Sequence, residues 1–248
     1  MNILLLCAGF GTRLGPVAKG RPKALLPIAK KPLVEHLVDQ LASTGLVDDI
    51  HVVTNARFAD QFEEWATKLR NRGLSVVVSN DGATENENRL GAVGDLAFAT
   101  HRNALRGPLL VAAGDNLFDF PLGDFLGDHE ANPRTLVVMK PESDPAALRR
   151  TGVPEVGPGG RLLRLHEKPT IPPSQYSCPA LYIFEPHALT LLDTFLAEAP
   201  NTDAPGHFIS WLAERDAVFT HEMKGDRLDI GDPEGYRAAE AWLLSRKP

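Results

Sequence analysis

Asn2-Ile3-Leu4-Leu5-Leu6-Cys7-Ala8-Gly9-Phe10-Gly11-Thr12-Arg13-Leu14-Gly15-Pro16-Val17-Ala18-Lys19-Gly20-Arg21-Pro22-Lys23-Ala24-Leu25-Leu26-Pro27 opens the chain and governs how the rest of it is read. A short apolar run ending in small residues and glycine has the composition of a buried strand that delivers a loop to the edge of a parallel sheet. Ligands of open α/β sheets sit at that edge. Glycines at 9, 11, 15 and 20 let backbone N–H groups face outward, while Arg13, Lys19, Arg21 and Lys23 add cations. Backbone nests and cations together make an anion site, and phosphate is the natural anion.

Two familiar phosphate loops do not fit. A P-loop needs Gly-Lys followed by Ser or Thr, whereas Gly20 is followed by Arg21 and Pro22. A dinucleotide fingerprint needs a helix directly after its glycines and an acid ending the next strand. Here Pro16 and Pro22 keep the loop open, and that strand ends Val53-Thr54-Asn55.

Ala8-Gly9-Phe10-Gly11-Thr12-Arg13-Leu14, Pro16, Pro22-Lys23 and Leu25-Leu26-Pro27 resemble, over its full length, the Gly-x-Gly-Thr-Arg…Pro-Lys loop of the sugar-phosphate nucleotidyltransferases, or sugar-nucleotide pyrophosphorylases. A glycine turn with solvated cations has no need of Thr-Arg and Pro-Lys at these spacings. The resemblance implies a Rossmann-like α/β fold, a mixed, mostly parallel sheet flanked by helices. It also implies a loop wrapping a nucleoside triphosphate, with Ala8, Gly9, Gly11 and Thr12 against the nucleotide, Arg13 on the triphosphate tail and Lys23 on the α-phosphate. Arg13 and Lys23 are thereby expected in catalysis. Ala18 stands where many relatives carry Thr, which removes one hydroxyl.

The 248 residues suffice for one large α/β domain or two small ones, and 43% hydrophobic content is ordinary for a globular core. A formal charge of −6 argues against a duplex-binding surface and hence a nucleic-acid partner, although a local basic pocket survives in an acidic protein. No stretch reaches a membrane span, and the opening apolar run lacks the basic flank of a secretion signal. Cys7 and Cys178, the only cysteines, are too few for a metal cluster or a disulfide framework. A reducing cytoplasm is the simplest setting.

After the loop, Lys31 to Leu41 reads as an amphipathic helix with Pro32 at its start and Gly45 beyond its end. Asp49 to Thr54 reads as a strand, Arg57 to Arg70 as a helix and Leu74 to Ser79 as a third strand. Such alternation implies parallel pairing through right-handed crossovers. Asn80 to Arg89 is polar and turn-prone, a loop at a strand's carboxyl end. Leu90-Gly91-Ala92-Val93-Gly94 resembles the family's Leu-Gly-Thr-Ala-Gly stretch against the nucleobase, which brings Asn80, Leu90 and Gly91 into the nucleotide site. The loop departs from the Gln-rich version of the thymidylyl- and uridylyltransferase branches, so base choice stays open.

Leu109 to Ala113 is an apolar run ending in Gly114-Asp115-Asn116. An acid at the end of a buried strand is costly unless a cation binds it, and a hard divalent ion is a natural partner. Gly-Asp-Asn resembles the family's metal motif and assigns Asp115 to Mg²⁺. Arg227 to Glu234 resembles its Asp-x-Gly-Thr-Pro segment and adds Asp229 as a second ligand, with Asp232 where Thr is common.

Arg134 to Lys140 reads as a strand, and Thr151–Val156, Gly157–Gly160 and Leu162–Glu167 as an antiparallel hairpin with Pro154 confining its strand to an edge. This part resembles the family's sugar-binding half, which implies sugar-phosphate contacts for Gly152 and for Glu167-Lys168-Pro169. Glu167 can accept two hydroxyls, and Lys168 offers a point charge. Pro179 and Ala180 depart from the family pattern and leave the sugar open. Pro186 to Glu198 reads as a helix, Val218 to Met223 as a strand, and Glu234 to Ser245 as a closing helix.

The organisation expected is a single domain over 1–248, with a nucleotide half at 1–130, a sugar-phosphate half at 131–228 and a closing segment at 229–248. The expected partners are a nucleoside triphosphate and a sugar 1-phosphate, with Mg²⁺ as cofactor and a homo-oligomer allowed. A phosphocholine cytidylyltransferase shares the first loop, but intact Glu-Lys-Pro and Gly-Asp-Asn favour a sugar. A non-catalytic regulatory subunit of the same fold is expected to have lost Arg13, Lys23 or a metal Asp, and none is lost.

Overall fold

The computed structural model describes residues 1–12, 18, 20–198, 201–230 and 232–245, the side chain of Asp229 excepted. Strand β1 (Asn2–Leu6) is the centre of the main sheet, with Ile3, Leu4 and Leu5 fully buried. A two-residue pair, β2 (Pro27–Ile28) and β3 (Lys31–Pro32), leads into helix α1 (Leu33–Ser43), which turns Leu33, Val34, Leu37, Val38 and Leu41 inward. The helix expected from Lys31 thus begins at Leu33, because the first two residues are spent on pairing with Pro27 and Ile28. Strand β4 (Asp49–Thr54), helix α2 (Ala59–Arg70), strand β5 (Ser75–Asn80), helix α3 (Gly91–Arg102) and strand β6 (Leu109–Ala113) complete the alternating half. In it β1 pairs in parallel with both β4 and β6, and β4 with β5.

The second half continues the same sheet. Strand β7 (Asn116–Phe118) and helix α4 (Leu122–Ala131) precede β8 (Thr135–Pro141) and the short α5 (Pro145–Leu148). The hairpin β9 (Gly152–Val156) and β10 (Leu162–Glu167) forms as expected, and Pro154 is tolerated because the pair is a two-stranded sheet of its own. Strands β11 (Tyr176–Ser177) and β12 (Leu181–Phe184) follow, then helices α6 (Pro186–Thr190), α7 (Leu192–Glu198) and α8 (Pro205–Ala213), strands β13 (Val218–Glu222) and β14 (Arg227–Asp229), and helix α9 (Pro233–Ser245).

Strand β12 inserts antiparallel between β6 and β8, and β13 runs parallel on β8. The sheet order is therefore β5-β4-β1-β6-β12-β8, with β11 and β13 also on β8. The helix expected over Pro186–Glu198 is two helices. Leu191 N–H bonds to the Ala188 carbonyl three residues back, and this tighter turn lets both Leu189 and Leu192 face the core.

One sheet face packs on α1, α2 and α4 through Phe62, Trp65 and Phe125, the other on α3, α7 and α8 through Phe195 and Phe208. Helix α9 closes a smaller cluster with Ile28, Leu33, Leu117 and Ile230. Among the described residues no helix is long and apolar enough to cross a membrane.

Candidate functional site

Strands β1 and β6 are in register, Leu6 opposite Ala113, so the segments that follow leave the sheet side by side. Leu6, Cys7, Gly9, Gly11, Thr12, Lys23, Ala24, Ala113, Gly114 and Asp115 line a cavity of about 230 Å³ between them. A Cβ at position 114 would stand 2.3 Å from Cys7 Sγ, so glycine is what lets the two exits close up. Burial, then the charges of Asp115 and Asp95, raise the Cys7 thiol, which makes it an inert wall of the cavity rather than a nucleophile.

Asp115 is one-third exposed to this cavity, and both its oxygens are engaged. Oδ2 accepts from Lys23 Nζ at 2.7 Å, and Oδ1 from Asn116 Nδ2 at 3.0 Å. Lys23 starts a single 3₁₀ turn, Lys23–Leu25, in which Ala24 and Leu25 are buried, and that anchor fixes the root of the lysine. Asn116 Oδ1 in turn accepts from Arg227 Nε at 2.6 Å. Strand β14 lies antiparallel on β7 with Asp229 opposite Asn116, and Ile230 N–H bonds to the Asp115 carbonyl at 3.3 Å. Two aspartates 114 positions apart in sequence thus have adjoining backbones. The Asp229 side chain and all of Arg13 lie outside the described residues.

This donor set fits a magnesium ion. No group of three His, Cys, Asp or Glu side chains gathers among the described residues. Mg²⁺ asks for less, one or two carboxylates together with phosphate oxygens and water. The Asp115 carboxylate has hard oxygens at the cavity wall and already carries a cationic partner in Lys23.

On the side expected to take the nucleotide, the Ala8 carbonyl accepts from Asn55 Nδ2 at 2.8 Å, which holds the loop's first turn against the end of β4. Gly9 and Thr12 are exposed. Asn80 ends β5 at the same sheet edge and spends its Oδ1 on the Gly82 N–H at 2.9 Å, an Asx turn that starts the polar loop. That loop contains a 3₁₀ turn, Asn86–Asn88, closed by a capping box. Leu90 is exposed, and Gly91 opens α3 at φ +77°.

Thr202 lies directly on that corner. Its carbonyl accepts from Val93 N–H at 3.0 Å, its hydroxyl donates to the Leu90 carbonyl at 3.0 Å, and Asp203 pairs with Arg89 at 2.8 Å. A Cβ on Gly91 would meet the Thr202 carbonyl oxygen at 2.7 Å.

On the side expected to take the sugar phosphate, Gly152 faces Glu167 across the hairpin and bridges to Cys178, whose N–H bonds to the Gly152 carbonyl at 2.7 Å. Two residues further on, the Ala180 carbonyl accepts from Ala113 N–H at 3.0 Å, tying this region to the exit of β6. Glu167 is largely buried and packs an oxygen against the Gly206 backbone. Lys168 sits at φ +47°, well exposed, with Nζ 3.8 Å from Glu167 Oε1.

The structure brings Lys23, Asp115 and the glycine loop around one cavity, and sets Asn80, Leu90 and Gly91 on one side of that sheet edge and Gly152, Glu167 and Lys168 on the other. Sequence reasoning did not single out the Arg227–Asn116 contact or the strap at Thr202. It also passed over a pair of acids, Asp81 just beyond β5 and Asp95 in α3. Their carboxyls lie within hydrogen-bonding reach of each other, and no other donor meets Asp81 Oδ2 or Asp95 Oδ1 among the described residues. Burial, then the charge and hydrogen bond of Asp81, push the Asp95 carboxyl up to about 8. An acid inside the apolar pattern of α3 was the available signal.

The family profile described as Nucleotidyl transferase matches residues 2–246. A zebrafish (Danio rerio) protein named mannose-1-phosphate guanylyltransferase catalytic subunit beta is 29% identical over 241 residues, 95% of this chain and 62% of that protein. A bifunctional sugar-1-phosphate nucleotidylyltransferase/acetyltransferase of Sulfurisphaera tokodaii is 27% identical over 258 residues, 98% of this chain and 56% of its own length. The chain thus spans less than two thirds of either relative. Among solved structures, a UDP-glucose pyrophosphorylase complexed with UDP-glucose superposes with a TM-score of 0.82 at 22% identity, covering 99% of both chains. A UDP-glucose pyrophosphorylase from Acinetobacter baumannii gives 0.80 at 19% identity, over 99% of this chain and 94% of the other. At these identities the structures speak for the fold, which is the mixed, mostly parallel sheet described above.

Proposed function

Because the chain belongs to the nucleotidyl transferase family, we propose that it condenses a nucleoside triphosphate with a sugar 1-phosphate, releasing pyrophosphate and leaving a nucleotide sugar. The observation that carries this reading is the Lys23–Asp115 pair at the mouth of the glycine loop, where a cation and a carboxylate face one cavity between two strand exits. The relatives' names agree with the reaction type, and the separate sugar-side cluster of Gly152, Glu167 and Lys168 supplies a second substrate's place.

Both substrates are anions, and their mutual repulsion is part of the barrier. In the proposed step a phosphate oxygen of the sugar 1-phosphate attacks the α-phosphorus. A new P–O bond forms as the bond to the β-phosphate oxygen breaks, and pyrophosphate leaves with that electron pair. The attacking monoester is already anionic at neutral pH, so no protein base has to take a proton. What the chain supplies is position and charge. The loop from Ala8 to Thr12 offers backbone N–H groups to phosphate oxygens, with Arg13 on the outer phosphates. Lys23 turns from Asp115 toward the α-phosphate, Lys168 takes the sugar phosphate, and Glu167 takes sugar hydroxyls. Asp115 and Asp229 are the residues that would hold Mg²⁺, which when bound contributes neutralisation of phosphate charge and in-line alignment.

The test is pyrophosphate release from each of the five common nucleoside triphosphates, paired in turn with a panel of sugar 1-phosphates and with phosphocholine. Release that requires a sugar 1-phosphate supports the reading. Release with phosphocholine alone, or with none of these, overturns it.

A further inference from the structure

Helix α3 begins without a cap of its own. Leu90 at its N-cap has no side-chain acceptor, and the N–H groups of a helix's first turn have no partner inside the helix. The acceptor for Val93 N–H comes instead from the segment before α8, as the Thr202 carbonyl at 3.0 Å. The Thr202 hydroxyl closes the same corner by donating to the Leu90 carbonyl at 3.0 Å, and Asp203 pairs with Arg89 at 2.8 Å. Gly91 is seated so closely on Thr202 that no side chain fits there. Thr202 therefore gives this corner its shape.

A few residues further on, the same segment reaches the residue proposed to hold the other substrate. Gly206, in the first turn of α8, is buried, and a Cβ there would run into Glu167 Oε2 and come within 3.3 Å of Leu165. What meets the strap is the shape of the Glu167 side chain rather than its charge. Between the two contacts the backbone has little freedom. Asp203 N–H bonds to Asn201 Oδ1 at 3.0 Å, and His207 N–H to the Ala204 carbonyl at 3.1 Å. Pro205 fixes its own φ and keeps Ala204 extended, at φ −119° and ψ 135°. Val93, Leu165 and Phe208, from the elements at either end, belong to one core cluster. A displacement at Gly206 is thus carried to Thr202 instead of being absorbed between them.

We propose that Thr202 is a positioning residue and that residues 202–206 couple the two proposed substrate sites. A sugar 1-phosphate whose hydroxyls bond to Glu167 tightens the binding of the nucleoside triphosphate at Leu90 and Gly91. By linkage the triphosphate tightens the sugar 1-phosphate by the same factor. The inference rests on the sugar-1-phosphate nucleotidyltransferase reading and deepens it. The physical cause is order. A sugar hydroxyl bonded to Glu167 fixes that side chain against Gly206 and steadies the strap, so the nucleotide meets an α3 corner that is already ordered.

The experiment measures calorimetric binding of the non-reacting α,β-methylene analogues of the five common triphosphates to the intact chain with Mg²⁺. Each is titrated without and with saturating glucose 1-phosphate or mannose 1-phosphate. The series is repeated with Thr202→Val, which keeps the carbonyl and the shape and removes the hydroxyl, and with Thr202→Ser, which keeps the hydroxyl. The expected result is a dissociation constant lower by about fivefold or more when the sugar 1-phosphate is present. That factor should fall below about twofold in Thr202→Val and return in Thr202→Ser. Exchange of the Val93 amide in the unaltered chain should slow by about twofold or more on addition of the sugar phosphate alone. A purely structural role for Thr202 weakens both ligands alike in Thr202→Val and keeps the coupling factor, and that outcome overturns the proposal. So does a factor near one in the unaltered chain, or a Val93 amide indifferent to the sugar phosphate. In those cases pyrophosphate release with a sugar 1-phosphate leaves the transferase reading intact. Failure of every triphosphate analogue, or of both sugar phosphates, to bind and to react overturns both.

Discussion

Lys23 Nζ and Asp115 Oδ2, 92 positions apart in sequence, meet at 2.7 Å across the mouth of the glycine loop. Each is held from behind, Lys23 by the buried turn at Ala24 and Leu25 and Asp115 by Asn116, which is itself held by Arg227. The pair is thus a pre-set charge arrangement on a rigid sheet edge, and an incoming phosphate can take the lysine without leaving the carboxylate bare of its Asn116 contact. Replacement of Lys23 by Met is expected to lower kcat by about 10²–10³-fold, the usual loss when one preorganised charge on a reacting phosphate or oxyanion is removed. Saturating kinetics check the rate, and an unchanged far-ultraviolet circular dichroism spectrum checks that the fold survives.

Gly114 is expected to be intolerant of any side chain. Besides the 2.3 Å approach to Cys7 Sγ, a Cβ there would stand 3.3 Å from Ala24 Cβ, so Gly114→Ala has no direction in which to relax. A loss of about 2–4 kcal/mol in urea unfolding is expected from such overpacking. Combining it with Cys7→Ala should recover part of the loss, since the two positions are in contact and couple. Simple additivity of the two changes would count against the contact.

Stability should fall as pH rises from about 4 to about 8 because of Asp95. In the folded chain burial and Asp81 keep its carboxyl protonated up to about 8, whereas in the unfolded chain it ionises near ~3.9. Between those values the unfolded state has given up a proton that the folded state retains, so raising the pH favours unfolding. The penalty is fully present above about 8 and absent below the unfolded value. Urea unfolding at pH 5 and pH 8 should show Asp95→Asn flattening the decline by about 1–3 kcal/mol. An unaltered pH slope in that variant would remove the account of the Asp81–Asp95 pair.

Glu167→Gln is expected to separate the two proposed substrate sites. Glu167 is packed against Gly206 and faces Gly152 across the hairpin, away from the Lys23 cavity lining. Exchange of a charged for a neutral acceptor is expected to raise the KM for the sugar 1-phosphate about tenfold, the scale of one charge-assisted hydrogen bond. The KM for the triphosphate should change less than about twofold on the same scale. Equal shifts in both constants would place Glu167 outside the sugar site.

The parallel half of the fold was legible because its information is local. The runs at Ile3–Leu6, Ile50–Thr54 and Leu109–Ala113 are bounded by turn residues, and the spacing within α1 and α2 declares a buried face. The second half gave a hairpin, since Gly157–Gly160 is a short turn, but not the insertion of β12 between β6 and β8. Pairing between Leu181–Phe184 and Leu109–Ala112 leaves no trace in either segment, because a strand buried on both faces reads the same whichever neighbour it meets.

The site divides in the same way. Lys23 and Asp115 lie in compact motifs that carry their own chemistry. Arg227 is separated from Asn116 by 111 positions, and nothing in Asp226-Arg227-Leu228 tells which carbonyl it will hold. Thr202 reaches Leu90 across 112 positions in the same silent way.

The central claim is that the carboxylate of Asp115 serves a phosphate-transfer site rather than the fold. Asp115→Asn keeps the shape and a hydrogen-bonding oxygen and removes the charge. Pyrophosphate release by this variant, measured with the triphosphate and sugar 1-phosphate that the unaltered chain uses best, should drop by about 10²-fold or more, with the thermal midpoint moving by no more than about 3 °C. Retention of most of the activity by a folded Asp115→Asn chain would contradict the account.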